Sequence, residues 1–158
     1  MISDSSRSRT IPPPIAGIDD DVFWRYLSEG ELRLQRCRRC QEWRYPPGPI
    51  CPNCLATETE WRRIVGDGRL LAWATFHRRY FPYLATPYLV AAVEILEGPL
   101  VCGSLRVPDC TRPQLDAPVK LEVVEAQLPD GRQWAIFDWV MNHPETGGEG
   151  AGHGRDNA

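Results

Sequence analysis

Four of the six cysteines fall in two close pairs, Cys37-Arg38-Arg39-Cys40 and Cys51-Pro52-Asn53-Cys54, with ten residues between the pairs. Two cysteines at this spacing in a tight turn can both point at one ion, about 2.3 Å from each sulfur. Two such turns facing each other across a hairpin complete a tetrahedron. Four thiolates suit zinc or iron and leave no position open for a water or substrate, so the expected site is structural rather than catalytic. Zinc is the expected ion, with rubredoxin-type iron as the alternative. Two disulfides or a redox pair are disfavoured, because two pairs occur and no βαβ unit surrounds either. Cys102 and Cys110 do not fit the ligand pattern. Cys102 lies inside an apolar run and is expected to be an inert buried thiol.

No other residues form a set with an evident catalytic arrangement. His77 stands alone among the strand-like segments, while His143 and His153 lie at or in the C-terminal tail. No local motif arranges a Ser-His-Asp or Cys-His combination, and no glycine-rich phosphate loop occurs. No catalytic residue is therefore assigned. The best ligand candidate is His77-Arg78-Arg79-Tyr80-Phe81. Guanidinium groups match phosphates in a bidentate way and an aromatic ring can stack on adenine, both of which coenzyme A offers. A solvated turn is the plain alternative, and single-stranded nucleic acid would suit the same residues. Arg36, Arg38 and Arg39 at the first cysteine turn can meet a phosphate, an acidic partner or simply water.

These residues need elements to hold them. Residues 1–18 are polar and then proline-rich and read as a disordered arm. Aspartates before an apolar cluster, and Gly30 after it, predict a short helix from about Asp20 to Glu29 within a 19–30 segment. Phe23, Trp24 and Tyr26 are many aromatics for so few turns. They either pack on the chain's own modules or, with Arg38 and Arg39, face a partner protein. Residues 31–65 read as a zinc ribbon. It has a strand over Glu31 to Arg36, a proline-rich loop from Arg44 to Ile50 and a strand over Glu60 to Val65. Five strand-like runs follow in 66–141: Arg69 to Arg78, Tyr88 to Leu96, Leu100 to Arg106, Val119 to Ala126 and Gln133 to Val140. Period-two patterning in five short strands, with a longer third connection, predicts an OB-fold barrel, with a short sandwich as the alternative. Residues 142–158 are glycine-rich and charged, and are expected to be disordered. The fold class is thus mainly β: a short N-terminal helix, a rubredoxin-like zinc ribbon and a C-terminal five-stranded OB-fold barrel.

Bulk composition narrows the function classes. The 158 residues are 42% apolar and 25% charged, as in soluble globular domains. The net charge of -3 and the single lysine, Lys120, argue against a general nucleic-acid binder, although Glu31 to Arg79 holds ten arginines against five acids. No apolar run is long enough to span a membrane and the N-terminus lacks a signal-peptide pattern. A cytoplasmic location is expected, where thiols stay reduced and paired cysteines point to metal.

The order of parts is more specific than any single motif. CRRC and CPNC follow an aromatic helix. Then come Gly66-Asp67-Gly68, the strand ending at His77-Arg78, and a strand opening at Pro87-Tyr88. Over Asp19 to Val140 the chain resembles the zinc-ribbon/OB-fold family of acyl-CoA-associated proteins. The resemblance implies a small subunit paired with a thiolase-superfamily protein: a thiolase, a synthase, an acyltransferase, or a lipid-transfer-type aldolase of steroid side-chain metabolism. It implies a hetero-oligomer in which ribbon and helix help dock the partner, the barrel helps form the acyl-CoA site, and the catalytic groups belong to the partner. The alternatives are a nucleic-acid-binding ribbon-plus-OB protein and a free-standing acyl-CoA-binding module.

Overall fold

The computed structural model of the chain describes residues 9–11, 13–82, 84–108, 112–127 and 130–141. The expectations for Cys110, His143, His153, residues 1–8 and the tail 142–158 lie outside these residues. The elements are β1 (Arg9–Thr10), α1 (Asp21–Ser28), β2 (Arg33–Cys37), β3 (Trp43–Arg44), β4 (Thr59–Arg63), β5 (Asp67–Phe76), β6 (Tyr88–Ile95), β7 (Leu100–Arg106), β8 (Pro118–Gln127) and β9 (Gln133–Met141).

The five C-terminal strands close on themselves. β5 pairs with β6, β6 with β7, β7 with β9, β9 with β8, and β8 returns to β5. Only the β7–β9 pair is parallel. This five-stranded arrangement is the OB-type barrel, closed by three residue pairs between β5 and β8 and three between β7 and β9. Its interior takes the residues that period two assigns inward: Leu70, Ala91, Val93, Ile95, Val101, Leu105, Val119, Leu121, Phe137 and Trp139 are all buried. The smaller sheet is β3-β2-β4, antiparallel throughout, and carries the cysteine turns.

The Gly66-Asp67-Gly68 entry is sterically required. Gly66 has φ +81°, a region that disfavours a side chain, and its carbonyl accepts the Leu121 amide at 2.7 Å. A Cβ on Gly68 would stand 2.5 Å from Val93 Cγ1 and 2.8 Å from the Glu94 carbonyl oxygen. Backbone cannot yield as a side-chain tip can. Gly68→Ala is therefore expected to destabilise the barrel by about 1–3 kcal/mol, the usual cost of overpacking. Thermal unfolding checks it; an unchanged midpoint would mean that β5 and β6 separate freely here.

The helix is a plug as much as an arm. Phe23 and Leu27, four residues apart on one face, are buried. Phe23 is 2% exposed and meets Trp24, Tyr45 and Phe137 edge-on, with ring centroids 5.1, 5.9 and 6.2 Å away. Helix, ribbon and barrel thus meet on one ring. Tyr45 is half-buried there, and desolvation pushes its phenol up to about 12, so it stays neutral. Gly30, at φ +76°, ends the helix by donating its N–H to the Leu27 carbonyl at 3.0 Å.

Several expectations are corrected. Asp20 does not cap the helix through its side chain; its carboxylate accepts the Gly17 amide and the Trp24 indole N–H instead. Trp43–Arg44, read at the edge of a loop, pairs with β2. β5 ends at Phe76, so His77 and Arg78 lie beyond the strand. Arg9–Thr10, assigned to a disordered arm, pairs in parallel with Ala126–Gln127. Cys102, expected to be buried, is exposed. Its register position explains this: it stands opposite Ala92, on the outer face of the barrel. Among the described residues no helix is long and apolar enough to cross a membrane.

Candidate functional site

The two cysteine turns are built alike. In the first, the Cys37 amide donates to Glu42 O at 2.8 Å and Gln41 N–H to Cys37 O at 3.0 Å. In the second, the Cys51 amide donates to Ala56 O at 2.9 Å and Leu55 N–H to Cys51 O at 3.0 Å. Each turn closes on a residue at positive φ, Gln41 at 65° and Leu55 at 60°. Non-glycine residues adopt that conformation at a cost, which the repeated geometry accepts in order to aim two sulfurs inward.

The result is one four-sulfur cluster. The Sγ atoms of Cys37, Cys40, Cys51 and Cys54 all lie within 4.8 Å of one another; Cys37 to Cys54 is 3.6 Å and Cys40 to Cys51 is 3.5 Å. A tetrahedron with 2.3 Å arms has edges of about 3.8 Å, so the four sulfurs fit a zinc ion. The electrostatics agree. The backbone N–H groups of Cys40 and Arg39 hold the Cys37 thiol down to about 6, and those of Cys54 and Asn53 lower Cys51. At Cys54 the Ala56 amide favours the thiolate, but burial and the other three thiols outweigh it and push the group up to about 12. The peptide amides thus prepare part of the required negative charge, and a divalent cation must stabilise the rest. Bound zinc would complete a closed tetrathiolate and act as a structural brace.

Around the cluster the arginines divide by role. Arg38 and Arg39 are exposed on the first turn. Arg36 lies over the Trp43 ring at 5.3 Å and donates to Gln41 O. Arg44 is 4% exposed; its Nη1 donates to Gly48 O at 3.0 Å, while Gln35 accepts the Gly48 amide. Arg44 and Gln35 therefore tie the proline-rich loop to β2, a role with no signal in the sequence beyond β-register. Asp138, fully buried on β9, pairs with Arg106 Nε at 3.2 Å, and Arg106 also reaches Glu122. It too was missed, because one acid in a short alternating strand looks like a surface residue.

The ligand candidates are brought together at one end of β5. His77, Arg78, Arg79, Tyr80 and Phe81 are all exposed, Tyr80 by 56% and Phe81 by 42%. The Arg78 guanidinium lies 5.5 Å from the Tyr80 ring, Tyr80 meets Phe76 at 6.2 Å, and Phe76 stacks on Tyr88 at 5.1 Å and 7°. Exposed aromatic faces and guanidinium groups thus share one short loop. The interface candidates separate. Phe23 is taken up by the chain's own core, the packing side of the two readings open for it. Trp24 and Tyr26 are half-buried, Tyr26 against Trp61 at 6.1 Å and under Arg33 at 4.6 Å.

Comparison with known proteins gives a consistent picture. Residues 24–60 match the ChsH2 rubredoxin-like zinc ribbon domain. A protein of Thermomonospora curvata named "Probable enoyl-CoA hydratase alpha subunit" is 30% identical over 115 residues, 73% of this chain and 36% of the relative. The 3-oxo-4,17-pregnadiene-20-carboxyl-CoA hydratase alpha subunit of Mycobacterium tuberculosis is 27% identical over 126 residues, 80% of this chain and 39% of the relative. The chain thus spans little more than a third of these curated relatives. Among solved structures, a chain of the Ltp2-ChsH2(DUF35) aldolase superposes with TM-score 0.72 at 26% identity, covering 82% of this chain and 98% of that one. A DUF35 protein of unknown function from Sulfolobus solfataricus shares the fold, with TM-score 0.55 at 14% identity over 80% of this chain and 87% of its own.

Proposed function

We propose that the chain, whose residues 24–60 match the ChsH2 rubredoxin-like zinc ribbon and whose fold is that of ChsH2/DUF35 proteins, is the accessory, acyl-CoA-binding subunit of a thiolase-superfamily complex. The observation that carries this reading is the match to nearly the whole of one chain from a two-protein aldolase. The unit shared with that assembly is the unit present here, ribbon and barrel together. The hydratase alpha-subunit names of the curated relatives point the same way, toward a CoA thioester and a hetero-oligomer.

In this reading zinc braces the ribbon, and the carbon–carbon or thioester chemistry belongs to the catalytic partner. The loop 77–81 supplies the CoA contacts. Arg78 and Arg79 take phosphate oxygens in bidentate pairs, and Tyr80, already under one guanidinium, stacks on the adenine. An aldolase is favoured as the partner by the name of the matched complex, and a steroid-type acyl-CoA by the pregnadiene-carboxyl-CoA in the name of one relative.

The test is co-expression with candidate thiolase-superfamily proteins of the same organism, followed by assay of any complex on acyl-CoA thioesters. The isolated chain should turn over none of them, and the complex should. Arg78→Ala and Arg79→Ala should each raise KM for the CoA substrate about tenfold, roughly the worth of one charge-assisted phosphate contact, and leave assembly intact. Turnover by the isolated chain would overturn the assignment of catalysis to the partner. Tight salt-sensitive binding of single-stranded DNA, with no complex formed, would favour the nucleic-acid alternative that the same loop permits.

A further inference from the structure

The barrel wears two kinds of outer surface. The first half of β8 alternates as expected: Val119 and Leu121 are buried, while Lys120 and Glu122 are exposed. On β5 and β6 the alternation is of exposure only, not of polarity. From Tyr88 to Val93 every side chain is apolar or aromatic, although every second one points out of the barrel. A strand apolar on both faces ordinarily has both faces covered.

Register shows how the outward residues line up, since directly paired residues share a face. Ala72, Ala92 and Cys102 form one row across β5, β6 and β7, and Ala74, Val90 and Ser104 form the next. Phe76 beside Tyr88 closes the rows as a stacked pair. Side chains this small leave a shallow trough of about 290 Å³ along β5–β6–β7, its lining almost wholly apolar. No charge lies within the trough. Its two ends differ. At one, Arg69 is bound to Glu94 at 2.8 Å and to Asp116 at 2.6 Å, so the charge is compensated. At the other lies the loop with Arg78 and Arg79, and among the described residues no carboxylate pairs with either.

We infer that this trough is the docking face for the catalytic subunit, received through an uncharged apolar surface, with the loop 77–81 at its rim. The inference rests on the functional reading above and adds the surface that joins the two proteins. The unequal ends choose the occupant. A second copy of this chain, packed face to face, would set Arg78 and Arg79 against their own like or against carboxylates already held by Arg69. A catalytic subunit carrying a CoA thioester sets the substrate's phosphates against them. The trough is also uncharged, whereas a single-strand nucleic-acid face needs a positively charged groove that follows the backbone.

The experiment uses the full chain co-purified with the thiolase-superfamily protein that the co-expression test selects. Ala92→Arg, and separately Ala74→Arg at an already exposed position, should weaken the complex at least a hundredfold. Zinc content and melting temperature should stay at wild-type values. Maleimide labelling read by peptide mass spectrometry needs no substitution: Cys102 should react quickly in the isolated chain and at least tenfold more slowly in the complex. Arg78→Ala should leave assembly unchanged. If the wild-type pair assembles, and the folded arginine variants assemble equally well or Cys102 stays equally reactive, the docking face is wrong while the functional reading stands. If the wild-type pair does not assemble, both fall. A homodimer of this chain dissolved by Ala92→Arg, with binding to the catalytic protein unaffected, would assign the trough to a second copy and overturn the inference.

Discussion

Cys51→Ser is expected to empty the metal centre and unfold the ribbon around it. The wild-type chain should carry about one zinc, and the variant close to none. The buried residues of this cluster are Cys37, Cys51 and Ala56, with Cys40 and Cys54 packed against them, so the sulfurs themselves are nearly all that is inside. Nothing apolar stands ready to hold the two turns once the ion is gone. Structural zinc sites of small modules contribute on the order of 10 kcal/mol of folding free energy, far more than Ala56 can replace. Amide exchange should localise the effect: Gln41 and Leu55, which close the turns, should lose protection, while the β5–β6 amides keep theirs. Acid should act in the same direction as the substitution. Zinc binding displaces thiol protons, so the ion is held more tightly as pH rises and is released as pH falls. A serine variant that keeps its zinc and its melting temperature would refute the four-sulfur assignment; iron found at the same stoichiometry would correct the ion alone.

Phe23→Ala should produce the second large effect, and it should be an effect on folding. A ring 2% exposed and wedged among Trp24, Tyr45 and Phe137 leaves a cavity when truncated. Phenylalanine-to-alanine changes in such places cost about 3–5 kcal/mol, on the order of 10 °C in melting temperature for a domain of this size. Trp24→Ala, at a half-buried position, should cost less. The two variants separate packing from partner contact. For Phe23 the melting temperature should fall first, and any loss of assembly should follow from it and disappear on cooling. Weakened binding to the catalytic protein at low temperature, with an unchanged melting temperature, would return Phe23 to an interface.

The metal site was legible because it is local. Two residues three apart in a turn converge whatever the rest of the chain does, and the repeated pattern named all four ligands. The barrel was legible nearly as well, since alternating burial runs through Ala91, Val93 and Ile95 of β6 and Val119 and Leu121 of β8, and Gly68 marks a close backbone contact. The rest depends on what folds over what. The fate of Phe23 turned on whether barrel and ribbon leave a gap at the helix, which no local pattern records. Asp138 and Arg44 are charged, and their burial is possible only because distant partners, Arg106 and the Gly48 carbonyl, are delivered to them by the sheets. Cys102 sits in an apolar run that looks buried, and only strand pairing tells that its side chain points outward beside Ala92. Short-range spacing therefore determined the metal centre and the order of the strands. The tertiary structure decided which apolar face is core and which is left for a partner, because inside and outside exist only once the barrel has closed.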